Sequence, residues 1–174
     1  MTDTFKISRL KEQEIDELVG LVNSAYRGDS SRKGWTTEAD LLDGIRTDPV
    51  AIRSLVEMPG SVILAGKDEL DHIVGCVYLH QEKADLFLGM LTVAPELQAQ
   101  GLGKKLLAAA EEYAITVSAE NLVITVIDSR FELIAWYNRH GYAPTGETRP
   151  FPSDPAFGIP KQPLQFIVMK KRLG

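Results

Sequence analysis

The chain alternates between two hydrophobic rhythms, and their order predicts the fold. Phe5-Lys6-Ile7-Ser8-Arg9 alternates apolar and polar positions and predicts a first strand. Ile15, Leu18, Val19, Val22 and Tyr26 then recur at helical spacing, predicting an amphipathic helix over residues 11–26. The stretch Gly28 to Gly34 is rich in Gly, Asp, Ser and Arg and reads as a loop. Thr36-Thr37-Glu38 reads as the start of a second helix, with a threonine to cap free amides and Glu38 and Asp40 at its positive end. Pro49 and Pro59 bracket a short helical piece. Ser61–Lys67, Ile73–Gln81 and Leu86–Ala94 follow, rich in Val, Ile, Leu and aromatics, and their short polar spacers predict an antiparallel meander.

The rhythm then changes. Leu102, Leu106, Ala109, Tyr113 and Val117 form a helical stripe over residues 101–118, followed by the continuously apolar strand Leu122–Ile127. Strand, helix and strand in that order predict a crossover between parallel strands. A helix over Phe131–His140 is expected to end at Gly141. Tyr142 onward and Gln165–Lys170 supply the last strands. Residues 148–163 hold five prolines and read as an ordered surface loop. Nothing resembles a linker or a repeat, so residues 1–174 are expected to form a single domain.

Composition narrows the chemistry. With 44% hydrophobic and 25% charged residues the chain has enough apolar material for one core. Cys76 is the single cysteine, which excludes an internal disulfide, and its apolar setting suits a small buried hydrophobe. His72, His80 and His140 lack metal-ligand spacing, so no metal is expected. A formal charge of −5 argues against bulk attraction to nucleic acid. Met1-Thr2-Asp3-Thr4-Phe5 lacks a basic-then-apolar targeting pattern, and no apolar run reaches the roughly 20 residues that span a bilayer. These observations favour a cytoplasmic protein without a membrane partner.

The segment with distinctive chemistry is Gln98-Ala99-Gln100-Gly101-Leu102-Gly103, which links a strand to a helix. Helix N-termini carry unpaired N–H groups and partial positive charge, so they suit phosphate. Gly101 and Gly103 would allow close backbone approach, and Lys104 and Lys105 stand where an anion would relieve their conflict with the helix dipole. A glycine turn with two solvated lysines is the other reading of these residues. A Walker loop would need glycine where Gln98 stands. A dinucleotide fingerprint would need a small residue at Leu106, and Pro95-Glu96-Leu97 would not intervene after the strand.

With Val93-Ala94-Pro95 before this loop, and Trp136-Tyr137-Asn138-Arg139-His140-Gly141-Tyr142 after it, the chain resembles the GNAT superfamily of acyl-CoA-dependent N-acetyltransferases. The resemblance follows the whole element order, and residues 86–142 carry its motifs. It implies an α/β fold with a mixed, mostly antiparallel sheet, helices on both faces and a central parallel strand pair that splays. The cofactor would be acetyl-CoA, with its pantetheine arm in the gap against main-chain groups of Met90, Leu91 and Val93. Its pyrophosphate would lie on amides of Gln98, Ala99, Gln100, Gly101, Leu102 and Gly103, with Lys104 or Lys105 near the outer phosphate.

The same resemblance makes Tyr137 a proton donor to the departing thiolate. A phenol, with an ordinary pKa of about 10, stays protonated for that role; packing on a buried helix face is the alternative. Where many members place an asparagine on the pantetheine, this chain has Arg130, which cannot copy an amide acceptor, and Ser129 could substitute. Glu38, Asp40, Glu82, Asp128 and Glu147 are the candidates for a base. Tyr26, Arg27, Trp35 and Glu38 are expected on the acceptor side, with Arg27 suited to a carboxylate and Glu38 to an ammonium. The stiff Thr148–Pro152 segment, with Phe151, is a second acceptor candidate, with a packed connection or a dimer contact as the other readings. The expected activity is acetyl transfer by direct attack of a primary amine on a small molecule or peptide. A CoA-binding sensor without turnover is the alternative, and a plain interaction domain a third.

Overall fold

The computed structural model describes residues 5–26, 42–43, 47–98, 100–150, 159–160 and 164–173. Nine strands and four helices are present among them. The main sheet has seven strands: β1 (Lys6–Arg9), β3 (Ser61–Lys67), β4 (Ile73–Glu82), β5 (Asp85–Val93), β6 (Asn121–Ile127), β9 (Gln165–Arg172) and β7 (Ala143–Pro150), in that spatial order. The two-residue strands β2 (Leu42–Asp43) and β8 (Ile159–Pro160) pair separately. No helix among the described residues is long and apolar enough to cross a membrane.

Helices cover both faces. A 3₁₀ turn at Glu12–Glu14 leads into α1 (Ile15–Tyr26), which packs with α2 (Pro49–Glu57) over Ile63, Ala65, Ile73, Cys76 and Met90. Asp48 caps α2 by accepting from the Ala51 amide, and Pro49 fills the first helical position, where an N–H has no helical partner. On the other face, α3 (Leu102–Thr116) buries Leu102, Leu106, Leu107, Ala110 and Ala114 against the sheet. The second helix of that layer is α4 (Phe131–Arg139), and Gly141 beyond it has φ 95, a left-handed angle that glycine takes without strain.

The meander and crossover are as the hydrophobic pattern predicts. β3, β4 and β5 are antiparallel neighbours, and β5, α3 and β6 form a crossover with β5 parallel to β6. That parallel pair is brief. Only Asp85, Leu86 and Phe87 register with Asn121, Leu122 and Val123, whereas each strand stays bonded to its outer neighbour along its length. The sheet therefore splays at its centre. A bulge promotes the parting: β4 and β5 shift register between Cys76 and Tyr78, and Met90 adopts φ 52.

Two expectations need correction at their edges. The helix expected over 11–26 begins as a 3₁₀ turn and becomes α-helical at Ile15. The loop expected from residue 148 starts later, because Thr148, Arg149 and Pro150 pair with Ile167, Phe166 and Gln165. Proline is tolerated there because β7 is an edge strand, where the missing N–H breaks no second ladder. The helix expected to open at Thr36 lies outside the described residues.

Candidate functional site

The parting of β5 and β6 leads to the start of α3. A cleft of about 300 Å³ opens there, lined by Leu91 and Val93 of β5, Gln98, Gly101, Gly103 and Lys104 of the loop and helix start, and Leu133, Trp136 and His140 of α4. Gly101 has φ 88, and a Cβ built there would meet nothing within 4 Å. The chain thus turns left-handed into the helix with its backbone open to the cleft. The first helical hydrogen bond of α3 runs from the Lys105 amide to the Gly101 carbonyl, at 3.0 Å. The preceding amides of Leu102, Gly103 and Lys104 have no acceptor within the helix, which is the arrangement that attracts an anion.

The two glycines have different uses. A Cβ at Gly103 would lie 3.4 Å from Trp136 Cζ2 and 3.7 Å from Val93 Cγ2, ordinary contact distances, so the indole packs on this turn of α3 without requiring a glycine there. The two lysines also part company. Lys104 lines the cleft, whereas the Lys105 ammonium donates to the Phe5 carbonyl in a separate groove between β1 and α3. Gln98 donates its side-chain amide to the Val93 carbonyl at 3.1 Å, tying the loop back to the end of β5.

Other expected contacts sit deeper. The Met90 side chain is buried beneath α1 and α2, and its carbonyl accepts from Thr92 Oγ1 at 2.9 Å and from Cys76 Sγ. Leu102 is buried on the sheet, so only its backbone reaches the helix mouth. Ser129 and Arg130 form the turn between β6 and α4. The Ser129 hydroxyl is buried with no hydrogen-bond partner among the described residues. Arg130 is 4% exposed, its carbonyl accepts from the Leu133 and Ile134 amides, and its Nε lies 3.9 Å from Glu132. Neither residue lines the cleft.

Tyr137 is 5% exposed and packs edge-on against Trp136 and Tyr142, with ring centroids 5.1 and 5.5 Å apart. Among the described base candidates, Glu82 is exposed at the end of β4, Glu147 pairs with Arg149 at 3.3 Å, and Asp128 is half-buried just beyond β6. No carboxylate lines the cleft among the described residues. Ala99, Arg27, Trp35, Glu38, Asp40 and Phe151, and the side chain of Tyr26, lie outside the described residues. No group of His, Cys, Asp and Glu suited to a metal occurs among the described residues.

Sequence reasoning missed the α4 wall as a wall. Leu133, Trp136 and His140 stand at i, i+3 and i+7, the spacing of one helix face, so the signal was there in the periodicity.

A mixed sheet parted at its parallel pair, with a glycine-led helix N-terminus at the mouth of the parting, makes this an α/β domain with a cleft suited to an anion. The chain belongs to the acetyltransferase (GNAT) family, whose model matches residues 15–142. At family level the activity is acetyl transfer from acetyl-CoA. No curated protein matches the chain in sequence. Among solved structures, the ribosomal-protein-S18-alanine N-acetyltransferase of Escherichia coli is similar at TM-score 0.73 and 14% identity, covering 98% of this chain and 94% of that one. A GNAT-family acetyltransferase from Staphylococcus aureus gives 0.70 at 16% identity, covering 98% and 99%. An IAA acetyltransferase from Bacillus cereus gives 0.66 at 18%, covering 98% and 100%. At these identities the likeness is one of fold.

Proposed function

We propose that this chain transfers an acetyl group from acetyl-CoA to the primary amine of a small molecule or peptide by direct attack. The observation that carries the reading is that β5 and β6 stay paired only through Phe87 and Val123, and that beyond this point Leu91 and Val93 of β5 line a cleft reaching the left-handed Gly101 at the head of α3. A narrow arm fits the gap, with Leu91 and Val93 as one wall and Leu133 and Trp136 as the other. A pyrophosphate fits the amides that precede the first bond of α3, and Lys104 adds a full positive charge beside them.

The reaction forms a C–N bond and breaks a C–S bond, so it needs a proton removed from an ammonium and a proton returned to a thiolate. Tyr137 is the proposed donor; it is buried on α4 behind the cleft lining, packed between Trp136 and Tyr142. With no carboxylate on the described lining, proton removal is assigned to a group on the acceptor side or to water. Cys76 is excluded as an acyl carrier by its burial in β4, its Sγ directed at the Met90 carbonyl.

Calorimetric titration with acetyl-CoA, paired with release of free thiol across a panel of amines, tests the reading. Binding that is lost in Gly101→Glu, with thiol release on at least one amine, is expected. Binding without release on any amine would instead identify a CoA sensor, and no binding at all would overturn the cleft assignment.

A further inference from the structure

α4 contributes an ionisable side chain to a wall that is otherwise apolar. Leu133 and Trp136 line the cleft with carbon and indole, and one helical turn on, His140 lines it with an imidazole. The ring is held in place. His140 Nδ1 lies 2.7 Å from the Trp136 carbonyl, and the two rings pack at 4.3 Å and 41°. Trp136 in turn rests against Gly103, so the imidazole is fixed relative to the first turn of α3.

That hydrogen bond settles the tautomer. A carbonyl has no proton to give, so Nδ1 must carry one. In the neutral ring Nε2 then holds a lone pair, and only the charged ring has an N–H there. No hydrogen bond joins Nε2 to a described residue. With Nδ1 on the Trp136 carbonyl, the other ring nitrogen of this cleft-lining residue is a lone pair in the neutral ring and a donor in the charged one.

One cation shares the lining with His140, while the C-terminal end of α4, which the residue caps, carries partial negative charge. Across the cleft, α3 presents Lys104, the loop presents the neutral Gln98, and β5 presents the apolar Leu91 and Val93. On its own helix, His140 follows the exposed Arg139. From β9, Lys171 packs against neighbouring Gly141 and is paired with Glu111 of α3. Tyr137 and Tyr142 lie behind, both buried.

We propose that His140 is a proton-dependent ligand for the pyrophosphate of acetyl-CoA, completing from α4 the anion site that Lys104 and the amides of α3 begin. The proposal rests on the acetyl-CoA reading of the cleft. Its sign is fixed by the tautomer: binding takes up a proton at Nε2, so affinity falls as pH rises. An anion that favours the imidazolium makes the affinity fall as the ring loses its proton.

The test is calorimetry with dephospho-CoA, which keeps the pyrophosphate and lacks the 3′-phosphate that titrates in the same range. Between about pH 6 and pH 8 the wild-type Kd is expected to rise five- to tenfold. In His140→Gln the rise should stay within about twofold of nothing. Net proton uptake by the wild type, read from the dependence of binding heat on buffer ionisation, is expected as well and needs no variant. Binding of dephospho-CoA that is independent of pH, with no proton uptake, would overturn the role of His140 and leave the acetyl-CoA reading standing. Failure to bind either acetyl-CoA or dephospho-CoA at any pH would overturn both.

Discussion

Leu102 rests on Gly75. A Cβ at residue 75 would stand 3.0 Å from Leu102 Cδ2, 3.1 Å from Leu106 Cδ1 and 2.9 Å from the Thr92 carbonyl, so β4 carries no side chain where α3 lands. Leu102 opens α3 and directly follows Gly101, which joins this packing contact to the mouth of the cleft.

Gly75→Ala is therefore expected to destabilise the fold by about 1–3 kcal/mol, the usual range for overpacking. The carbonyl is backbone and yields little, so β4 and β5 must shift there, and Leu102 and the loop before it are displaced as well. Acetyl-CoA should bind several-fold more weakly to the folded variant. Urea unfolding and calorimetry measure the two effects. Shortening Leu102 to Ala in the same chain should not restore stability fully, because the contact with the Thr92 carbonyl remains.

Gly101 and Gly103 should answer differently to alanine. At Gly101 the left-handed backbone costs a side chain about 1–2 kcal/mol, and the methyl would project into open space at the helix mouth. Gly101→Ala is expected to lower Tm and weaken acetyl-CoA binding about tenfold. Gly103 sits within α3, where a Cβ meets Trp136 at ordinary contact distance. Gly103→Ala should keep or raise Tm, since alanine is favoured over glycine in a helix by about 1 kcal/mol. Equal losses at both positions would contradict the separate roles given to them.

The contrast shows what the sequence made legible. Hydrophobic periodicity located the meander, the crossover and α4 to within a few residues, because burial on one face imposes it. The loop motif located the cleft. It could not show that the Trp136 indole packs on Gly103, that Lys105 is tied to the Phe5 carbonyl, or that Gln98 closes the loop onto Val93. Those facts depend on which elements meet across the sheet, and local spacing carries no record of that. The Met90 bulge was equally silent, since its left-handed φ occurs in a residue with no turn chemistry.

A partly buried ion pair should shape the acid and alkaline limits of stability. Lys67, at the end of β3, pairs with Glu14 at the entrance to α1, and the Glu14 carboxylate also accepts from the Lys11 amide at 2.8 Å. Burial pushes the Glu14 carboxyl up, but the hydrogen bonds from Lys67 and Lys11 outweigh it and hold the group below its ordinary 4.5. Its contribution is complete above that value and is lost as pH falls through the lower folded one. The hydrogen bond to Glu14 raises Lys67 above its ordinary 10.5 despite burial, so its contribution is complete below 10.5 and is lost as pH rises through the higher folded value. Unfolding midpoints should thus hold level across neutral pH and fall at both ends. Lys67→Met should lower the plateau and flatten both limbs; unchanged limbs would show that the pair contributes nothing.

Tyr137 and Tyr142 face each other edge-on, yet substitution of each by phenylalanine should have opposite consequences. The Tyr142 hydroxyl is buried with no hydrogen-bond partner among the described residues, and burial, aided by the nearby Glu111 carboxylate, pushes its phenol well above the ordinary range. It stays neutral and unsatisfied, so Tyr142→Phe removes a desolvated polar atom and should leave stability unchanged or raised by up to about 1 kcal/mol. Turnover should be unaffected. Tyr137→Phe keeps the same ring packing and removes the proposed proton donor, so kcat should fall about a hundredfold or more, with KM for acetyl-CoA within about twofold. The loss should shrink with an acetyl thioester whose thiol is more acidic, because a better leaving group needs less help from a proton. A Tyr137→Phe enzyme with wild-type kcat would reduce this residue to a packing element and move the proton donor elsewhere.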